Sequence, residues 1–159
     1  ATIRQFDRQL ARLATTRYPV TAVLRQIPGV GPLTALTYVL TLEDPTRFRK
    51  SRMVGAYLGL RPKRRESGAQ RPELSTTKAG DVFLRRHLVT AAQYILGPFG
   101  PDTDLRRWGL ALAARGGRAA KKRTVVAVAR KLAVLLHRLW VTGEVYEPLG
   151  YQARAARVA

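Results

Sequence analysis

Residues 24–35 read Leu-Arg-Gln-Ile-Pro-Gly-Val-Gly-Pro-Leu-Thr-Ala, a turn with two glycines between two apolar segments. Glycine adopts the sharp backbone angles of such a turn, and Pro32 suits the first turn of a helix, where an amide would lack an intrahelical partner. The pattern predicts a helix-hairpin-helix in which amides that open the second helix bind a nucleic-acid phosphate, aided by the helix dipole. An ordinary glycine-rich turn is the competing interpretation. The residues assigned to this contact are Gly29, Val30, Gly31, Leu33 and Thr34.

Helical periodicity continues on both sides of this hairpin. Apolar residues recur at three- and four-residue steps through most of the chain, and no segment alternates as a β-strand would. The sequence therefore predicts an all-α fold, a small helical bundle that contains the hairpin and one long basic loop. The predicted helices cover residues 2–17, 19–26, 32–41, 51–58, 102–114 and 121–141, with a further helix that Asp81 caps and Gly97 ends.

The long loop covers residues 61–80, which are rich in Pro, Gly, Ser, Thr and basic residues and contain almost nothing to bury. Its cations could simply clamp a DNA backbone. Alternatively, one of its hydroxyl groups attacks a phosphodiester, a reaction in which nearby cations stabilise the charge that develops on the phosphate oxygens. The basic residues assigned to nucleic-acid backbone contact are Arg61, Lys63, Arg64, Arg65, Arg71 and Lys78 in the loop, and Arg85 and Arg86 after it.

The composition is strongly basic. Twenty-nine Lys and Arg residues against ten Asp and Glu residues give a formal net charge of +19. Such self-repulsion opposes compaction unless a polyanion supplies counter-charge, so a nucleic acid is the expected partner and a membrane is not. Cysteine is absent, and no window is apolar enough for a transmembrane helix or a signal sequence, which favours a cytoplasmic, nucleoid-associated protein.

Potential metal ligands are sparse in the sequence. His87 and His137 are the only histidines, and no carboxylate lies at ligand spacing beside either one, so neither a metal site nor a cofactor is expected in this chain. Asp102 and Asp104 follow a Gly-Pro pair and are interpreted as helix-capping residues rather than as magnesium ligands.

An ordered series of short motifs begins at the hairpin and extends to about Glu147. The motifs are Ile27-Pro-Gly-Val-Gly-Pro, Pro45-Thr-Arg-Phe48, Ala56-Tyr-Leu-Gly59-Leu60, Ser67-Gly68, Thr77-Lys78-Ala-Gly80, Leu84-Arg85-Arg86 and Ala127-Val-Ala-Arg130-Lys131. The series resembles the C-terminal transposase domain of the IS110/IS1111 insertion-sequence recombinases. It is more specific than the hairpin alone, which many DNA-binding proteins share.

The resemblance implies a two-part enzyme that cuts and rejoins DNA through a transient phosphoserine link. An N-terminal RuvC-like domain would hold Mg²⁺ on four acidic residues, and this sequence has no acidic cluster suited to that site. The C-terminal domain would carry the nucleophile, which maps onto Ser67 before Gly68, with Ser75 as the alternative. These residues alone are therefore expected to bind double-stranded DNA without recombining it.

The domain organisation and further partners follow from the same resemblance. Residues 1–18 are expected to end a linker or coiled segment of a missing upstream domain, residues 19–147 to form the transposase domain, and residues 148–159 to form a basic tail. A structured guide RNA, called a bridge RNA in at least some members, is a further implied partner. The full-length protein is expected to be a homo-oligomer, because strand exchange needs several active sites on two duplexes.

Two other functions are compatible with the sequence. A non-catalytic helix-hairpin-helix module would hold the backbone of DNA or structured RNA while chemistry occurs elsewhere. Its affinity would fall steeply with salt, and it would need no particular hydroxyl group. A ribosomal or other RNA-binding protein would explain the charge but not the ordered series of motifs.

Overall fold

The structure, a computed structural model, describes residues 2–61 and 80–150. Within these ranges the chain is helical and has no β-strand, which confirms the predicted all-α bundle. Each predicted helix is present, with ends within two residues of the prediction. The helices are α1 (Ile3–Arg17), α2 (Thr21–Leu24), α3 (Pro32–Leu42), α4 (Arg52–Tyr57), α5 (Val82–Leu96), α6 (Asp104–Ala114) and α7 (Ala120–Thr142), with a 3-10 turn at Pro45–Arg47 between α3 and α4.

The long helix α7 is the centre of the bundle, because α2, α4, α5 and α6 all pack against it. Its apolar residues recur at helical spacing, and Val128, Leu132 and Leu136 are fully buried. Helix α6 approaches α7 most closely at Gly109, where a Cβ atom would lie 2.7 Å from Val128 Cγ2 and 2.6 Å from a methyl carbon of Leu96. Any larger residue at this position would therefore push α6 away from the core.

A buried tyrosine joins α3 to α7. The Tyr38 side chain is fully buried, and its hydroxyl donates a hydrogen bond of 2.6 Å to the carbonyl oxygen of Ala133. Its ring packs at a tilt against Trp140, with 6.3 Å between the ring centroids. Burial raises the pKa of Tyr38 well above its ordinary value, because the phenolate would lose its hydration.

The two helices that flank the α5–α6 turn are capped by different residue types. Asp81 accepts a hydrogen bond of 2.7 Å from the amide of Leu84, which confirms the predicted cap of α5. The prediction that Asp102 or Asp104 caps α6 is wrong, because Thr103 Oγ1 accepts from the Arg106 amide at 3.1 Å. Asp102 instead pairs with an arginine, and Asp104 accepts from the amide of residue 150.

Helix α1 is amphipathic, as predicted, but most of its apolar residues are exposed. Ile3 is 80% exposed and Phe6 is 55% exposed, whereas Ala14 near the end of the helix is buried. Accordingly α1 packs mainly against α2 and α3. Residues 3–9, its first two turns, are all exposed.

The segment after α7 returns to the residues that precede the hairpin. The Gln26 side chain donates to the carbonyl oxygen of Glu144 at 3.1 Å and accepts from the amide of Tyr146 at 2.8 Å. The Tyr146 side chain is buried. These hydrogen bonds therefore connect the segment after α7 to the start of the hairpin.

Among the described residues, no helix has the length and hydropathy needed to cross a membrane.

Candidate nucleic-acid interface

The two glycines of the hairpin have different structural roles. Gly29 has a φ of +95°, and a Cβ atom there would lie 2.9 Å from the Tyr94 ring and 3.3 Å from the Ala91 carbonyl oxygen. Gly29 is therefore required for close packing of the hairpin on α5. Gly31 has a φ of −88°, and no atom lies within 4 Å of the position its Cβ would take. The backbone at Gly31 thus faces open space.

The start of α3 presents amides without acceptors. Gly31 is the N-cap residue, and no side chain of the described residues caps this helix. The Val30 amide donates to Ile27 and the Ala35 amide donates to Gly31, but none of the amides of Gly31, Leu33 and Thr34 has an acceptor in the described residues. Together with the positive end of the helix dipole, such amides form an anion-binding arrangement.

The predicted hairpin residues can contact a ligand mainly through their main chain. The side chains of Val30 and Thr34 are buried in the core, and Leu33 is 37% exposed. Hydrogen bonds to a phosphate would thus come from amides, which carry no information on base sequence.

Most of the predicted loop residues lie outside the described residues, but both of its ends are described. Outside are Lys63, Arg64, Arg65, Ser67, Arg71, Ser75 and Lys78. At the first end, the Leu60 amide donates to the Gly55 carbonyl oxygen at 3.0 Å. At the second end, Gly80 has a φ of +94°, and a Cβ there would collide with the Tyr57 carbonyl oxygen. The chain thus leaves the end of α4 and returns to it.

A basic cleft opens between α4 and α7 and has a volume of about 1200 Å³. Eleven described residues line it, of which seven are Lys or Arg and none is acidic. We call it the α4–α7 cleft. Its lining consists of Arg49, Lys50, Arg52, Met53, Arg61, Leu105, Arg130, Lys131, Val134, Leu135 and Arg138.

A buried histidine holds one wall of the α4–α7 cleft against α7. His137 Nε2 lies 2.8 Å from the carbonyl oxygen of Pro45, and Nδ1 lies 2.8 Å from the Ser51 hydroxyl oxygen. Because a carbonyl oxygen only accepts, Nε2 carries the proton, and in the neutral ring Nδ1 accepts from Ser51. Phe48 meets the imidazole edge to face at 5.7 Å between centroids. These contacts fix residues 45–51, so that the cations beside Ser51 stay over the cleft.

The α7 wall of the cleft is held by two further contacts. A Cβ atom at Gly55 would lie 2.8 Å from Arg130 Cγ, so the glycine lets the arginine stem lie directly against α4. The Lys131 ammonium lies 4.0 Å from the centroid of the Trp108 ring, a cation–π contact. Burial, and to a lesser degree the neighbouring Arg130, lower the pKa of Lys131. The ammonium ion is therefore partly desolvated and placed beside another cation.

Arg85 and Arg86, assigned to backbone contact from the sequence, are not part of this cleft. Arg85 lies beside the end of α4, with a guanidinium nitrogen 3.5 Å from the Leu58 carbonyl oxygen, and Arg86 is exposed. Only Arg61 among the predicted residues lines the cleft. Within residues 2–61 and 80–150, no group of three or more His, Asp or Glu side chains is arranged to hold a metal ion.

Sequence reasoning did not assign six of the cleft cations to a site. They come from two segments about eighty residues apart. Two signals were available: residues 47–52 contain four basic residues in six, and the helical spacing of Arg130, Lys131 and Arg138 places three cations on one side of α7. These six cations are Arg49, Lys50, Arg52, Arg130, Lys131 and Arg138.

Comparison with known proteins places this fold among transposases. The Transposase IS116/IS110/IS902 family matches residues 21–104. The transposase for insertion sequence element IS1111A of Coxiella burnetii is 36% identical over 124 residues, which are 77% of this chain and 33% of that protein. The "Probable family 20 transposase" of Pseudomonas aeruginosa is 32% identical over 126 residues, 79% of this chain and 36% of that protein. The chain thus spans about a third of the length of these relatives, and it belongs to the IS116/IS110/IS902 transposase family.

Proposed function

We propose that this chain is the DNA-binding, serine-nucleophile domain of a transposase that performs DNA cleavage and strand exchange in the cytoplasm, at the nucleoid. Family membership supports the activity, because the matched relatives are named as transposases. Since the chain spans about a third of those relatives, a RuvC-like domain with its Mg²⁺ would lie in the remaining length. A guide RNA and a homo-oligomer belong to the same proposal for the full-length protein.

The observation that carries the proposal is the open start of α3. The amides of Gly31, Leu33 and Thr34 have no acceptor in the described part of the chain, and no side chain covers Gly31. A DNA phosphate would supply the missing acceptor and would also be attracted by the helix dipole and by the net charge of +19. Because the donors are main-chain groups, this contact would position DNA without reading its sequence.

For the cleavage step we assign Ser67 as the nucleophile, with Ser75 as the alternative. The Ser67 hydroxyl oxygen would attack the phosphorus of a phosphodiester, forming a serine–phosphate ester and breaking the bond from phosphorus to one sugar oxygen. The departing sugar oxygen takes up a proton as the serine hydroxyl loses its own. In the rejoining step, a sugar hydroxyl of another strand would attack the phosphorus of the phosphoserine. The bond from phosphorus to the Ser67 oxygen would break, and the serine hydroxyl would regain its proton. Cations of the loop, Arg64 and Arg65 among them, would stabilise the charge on the phosphate oxygens.

A non-catalytic module that holds the backbone of DNA or structured RNA is the second candidate function. The main-chain character of the hairpin contacts favours it, because such contacts need no hydroxyl group. The two candidates differ in whether a single serine is required for a covalent bond to DNA.

The proposal is tested on the full-length transposase by comparing Ser67→Ala with Ser75→Ala. We expect Ser67→Ala to bind DNA normally but to form no covalent protein–DNA adduct, measured by denaturing gel with labelled DNA. Ser75→Ala is the matched control, since it removes a hydroxyl from the same loop, and it should keep its adduct. Adducts at normal yield in Ser67→Ala with loss in Ser75→Ala would move the assignment to Ser75. Adducts in both variants would rule out either serine as the nucleophile.

A further inference from the structure

We propose that the α4–α7 cleft is a second binding site for the sugar–phosphate backbone of duplex DNA, separate from the hairpin. The inference rests on the proposed function in one respect, namely that this chain handles DNA. It adds a site, a ligand chemistry and six residues that the sequence analysis did not assign.

The charge of the cleft points to an anionic ligand. In the part of the chain that the structure describes, seven cations and no carboxylate line a space of about 1200 Å³. Like charges held this close repel one another, and anions that enter the cleft relieve the repulsion. Burial and the neighbouring Arg130 lower the pKa of Lys131, so its ammonium ion is partly desolvated beside another cation.

The cations are held in place by the fold rather than carried on free segments. Pro45 and Ser51 are bonded to the buried ring of His137, which fixes the backbone that carries Arg49 and Lys50. On the opposite wall, the stem of Arg130 lies against Gly55. A charged surface whose positions are already ordered loses less conformational entropy when it binds.

The size and lining of the cleft favour a duplex backbone over smaller or single-stranded ligands. Its volume lies above the range of about 300–1,000 Å³ that is common for small-molecule sites. None of its described lining residues is aromatic, whereas sites for single strands use aromatic rings to stack unpaired bases. Guanidinium and ammonium groups instead match the phosphate oxygens along a duplex.

The cleft and the hairpin share no described residue. Successive helix residues turn by about 100°, so Arg130, Val134 and Arg138 form one stripe along α7. Ala133, whose carbonyl oxygen accepts from Tyr38 of α3, lies roughly 130° around the helix from the centre of the cleft residues. Because no hairpin residue is among the described residues that line the cleft, the two sites can be altered by separate substitutions.

The cleft also lies beside both ends of the 61–80 loop. Arg61 lines the cleft, and Gly80 packs on the Tyr57 carbonyl at the end of α4. A duplex held in the cleft would therefore pass the point where the loop that carries Ser67 leaves and rejoins the bundle. The cleft would position the phosphodiester for that loop, whereas the hairpin would hold DNA elsewhere.

The test is binding of this chain to a labelled duplex DNA of random sequence over a series of salt concentrations. The cleft variant carries Arg49→Gln, Lys50→Gln and Arg52→Gln, three exposed positions on one wall. The control variant carries Arg4→Gln, Arg8→Gln and Arg12→Gln, three exposed positions on α1 that do not line the cleft. Both variants lower the net charge by three, so any difference between them reflects position. Circular dichroism melting checks that both stay folded.

We expect the cleft variant to lose at least about tenfold in affinity and to lower the slope of log affinity against log salt by about two to three units. The control should lose less than about threefold with an unchanged slope. A second cleft variant, Lys131→Gln on the opposite wall, should lower the slope by about one unit. Equal losses in the cleft and control variants would overturn the proposal. Tighter binding of duplex RNA or of single-stranded DNA than of duplex DNA would also overturn it. A wild-type chain that does not bind duplex DNA would remove the proposed function itself.

Discussion

The hairpin and the α4–α7 cleft are two candidate DNA sites built in opposite ways. The hairpin is local: its glycines, its prolines and the start of the following helix lie within twelve consecutive residues, and its donors are main-chain amides. The cleft is assembled from α4, α6, α7 and the segment before α4, and its donors are side chains. The comparison shows that a site with a recognisable sequence motif and a site with clustered cationic side chains can lie at different places in one domain.

The difference also concerns what each site depends on. The hairpin depends on the backbone conformations of its two glycines, of which Gly29 has a positive φ. The cleft needs the buried contacts of His137 and Tyr38, which position α7 against α3 and the segment before α4. Substitution of His137 should therefore affect the cleft more than the hairpin.

The largest expected effect comes from His137→Ala. The substitution removes a fully packed ring and leaves the Ser51 hydroxyl and Pro45 carbonyl without their partner, so unfolding free energy should fall by about 3 kcal/mol. DNA affinity should also fall, because residues 45–51 would no longer be fixed over the cleft. Urea denaturation and DNA titration measure the two effects. Ser51→Ala, which removes only one hydrogen bond, is the control and should cost about 1 kcal/mol. Equal stability of His137→Ala and wild type would contradict the assigned role of the ring.

The next effect separates the two glycines of the hairpin. Gly29→Ala should cost about 2 kcal/mol, because φ is +95° and the new methyl group would press on Tyr94 and the Ala91 carbonyl. Gly31→Ala, where there is open space and an ordinary φ, should change stability by less than about 1 kcal/mol. Thermal unfolding of the two single variants measures the difference. A larger cost at Gly31 than at Gly29 would reverse the roles assigned to these glycines.

The smallest effect is a pH dependence at Tyr38. Its raised pKa in the folded state means that the unfolded chain loses the phenol proton first, so this group stabilises the fold below about pH 10 and that stability is lost as pH rises further. Tyr38→Phe should lose about 1 kcal/mol at neutral pH, because the bond to Ala133 is gone. Its stability should then fall less than that of wild type between pH 9 and 11. If the stability of the two proteins fell equally between pH 9 and 11, the pKa of Tyr38 would not be raised in the folded state, which would contradict the burial of its phenol.

Much of the fold could be predicted because helical periodicity is a local signal. The buried spacing of Val128, Leu132 and Leu136 is visible in the sequence, and so is the Asp81 cap. The cap of α6 was missed, since Asp102, Thr103 and Asp104 are all capping residue types and only the backbone path selects Thr103.

The cleft could not be predicted because it depends on tertiary packing. His137 carries no local mark that distinguishes it from an exposed histidine, yet its two ring nitrogens connect α7 to Pro45 and Ser51, about ninety residues earlier. The exposure of Ile3 and Phe6 likewise depends on the absence of a packing partner, which an amphipathic pattern cannot reveal. The predicted roles of Ser67 and Ser75 lie outside the described residues and stay predictions.

The central claim, that one domain holds duplex DNA at two independent backbone sites, is tested most directly by a double-mutant cycle. Gly31→Asp places a carboxylate at the open N-cap, where it would bind the α3 amides in place of a phosphate, and the isosteric Gln93→Glu on α5 controls for its charge. Combined with Arg49→Gln, Lys50→Gln and Arg52→Gln, Gly31→Asp should multiply the separate losses of duplex-DNA affinity, because independent sites contribute additive free energies. If Gly31→Asp binds DNA as well as Gln93→Glu, or adds no loss to the cleft variant, the two-site account is wrong.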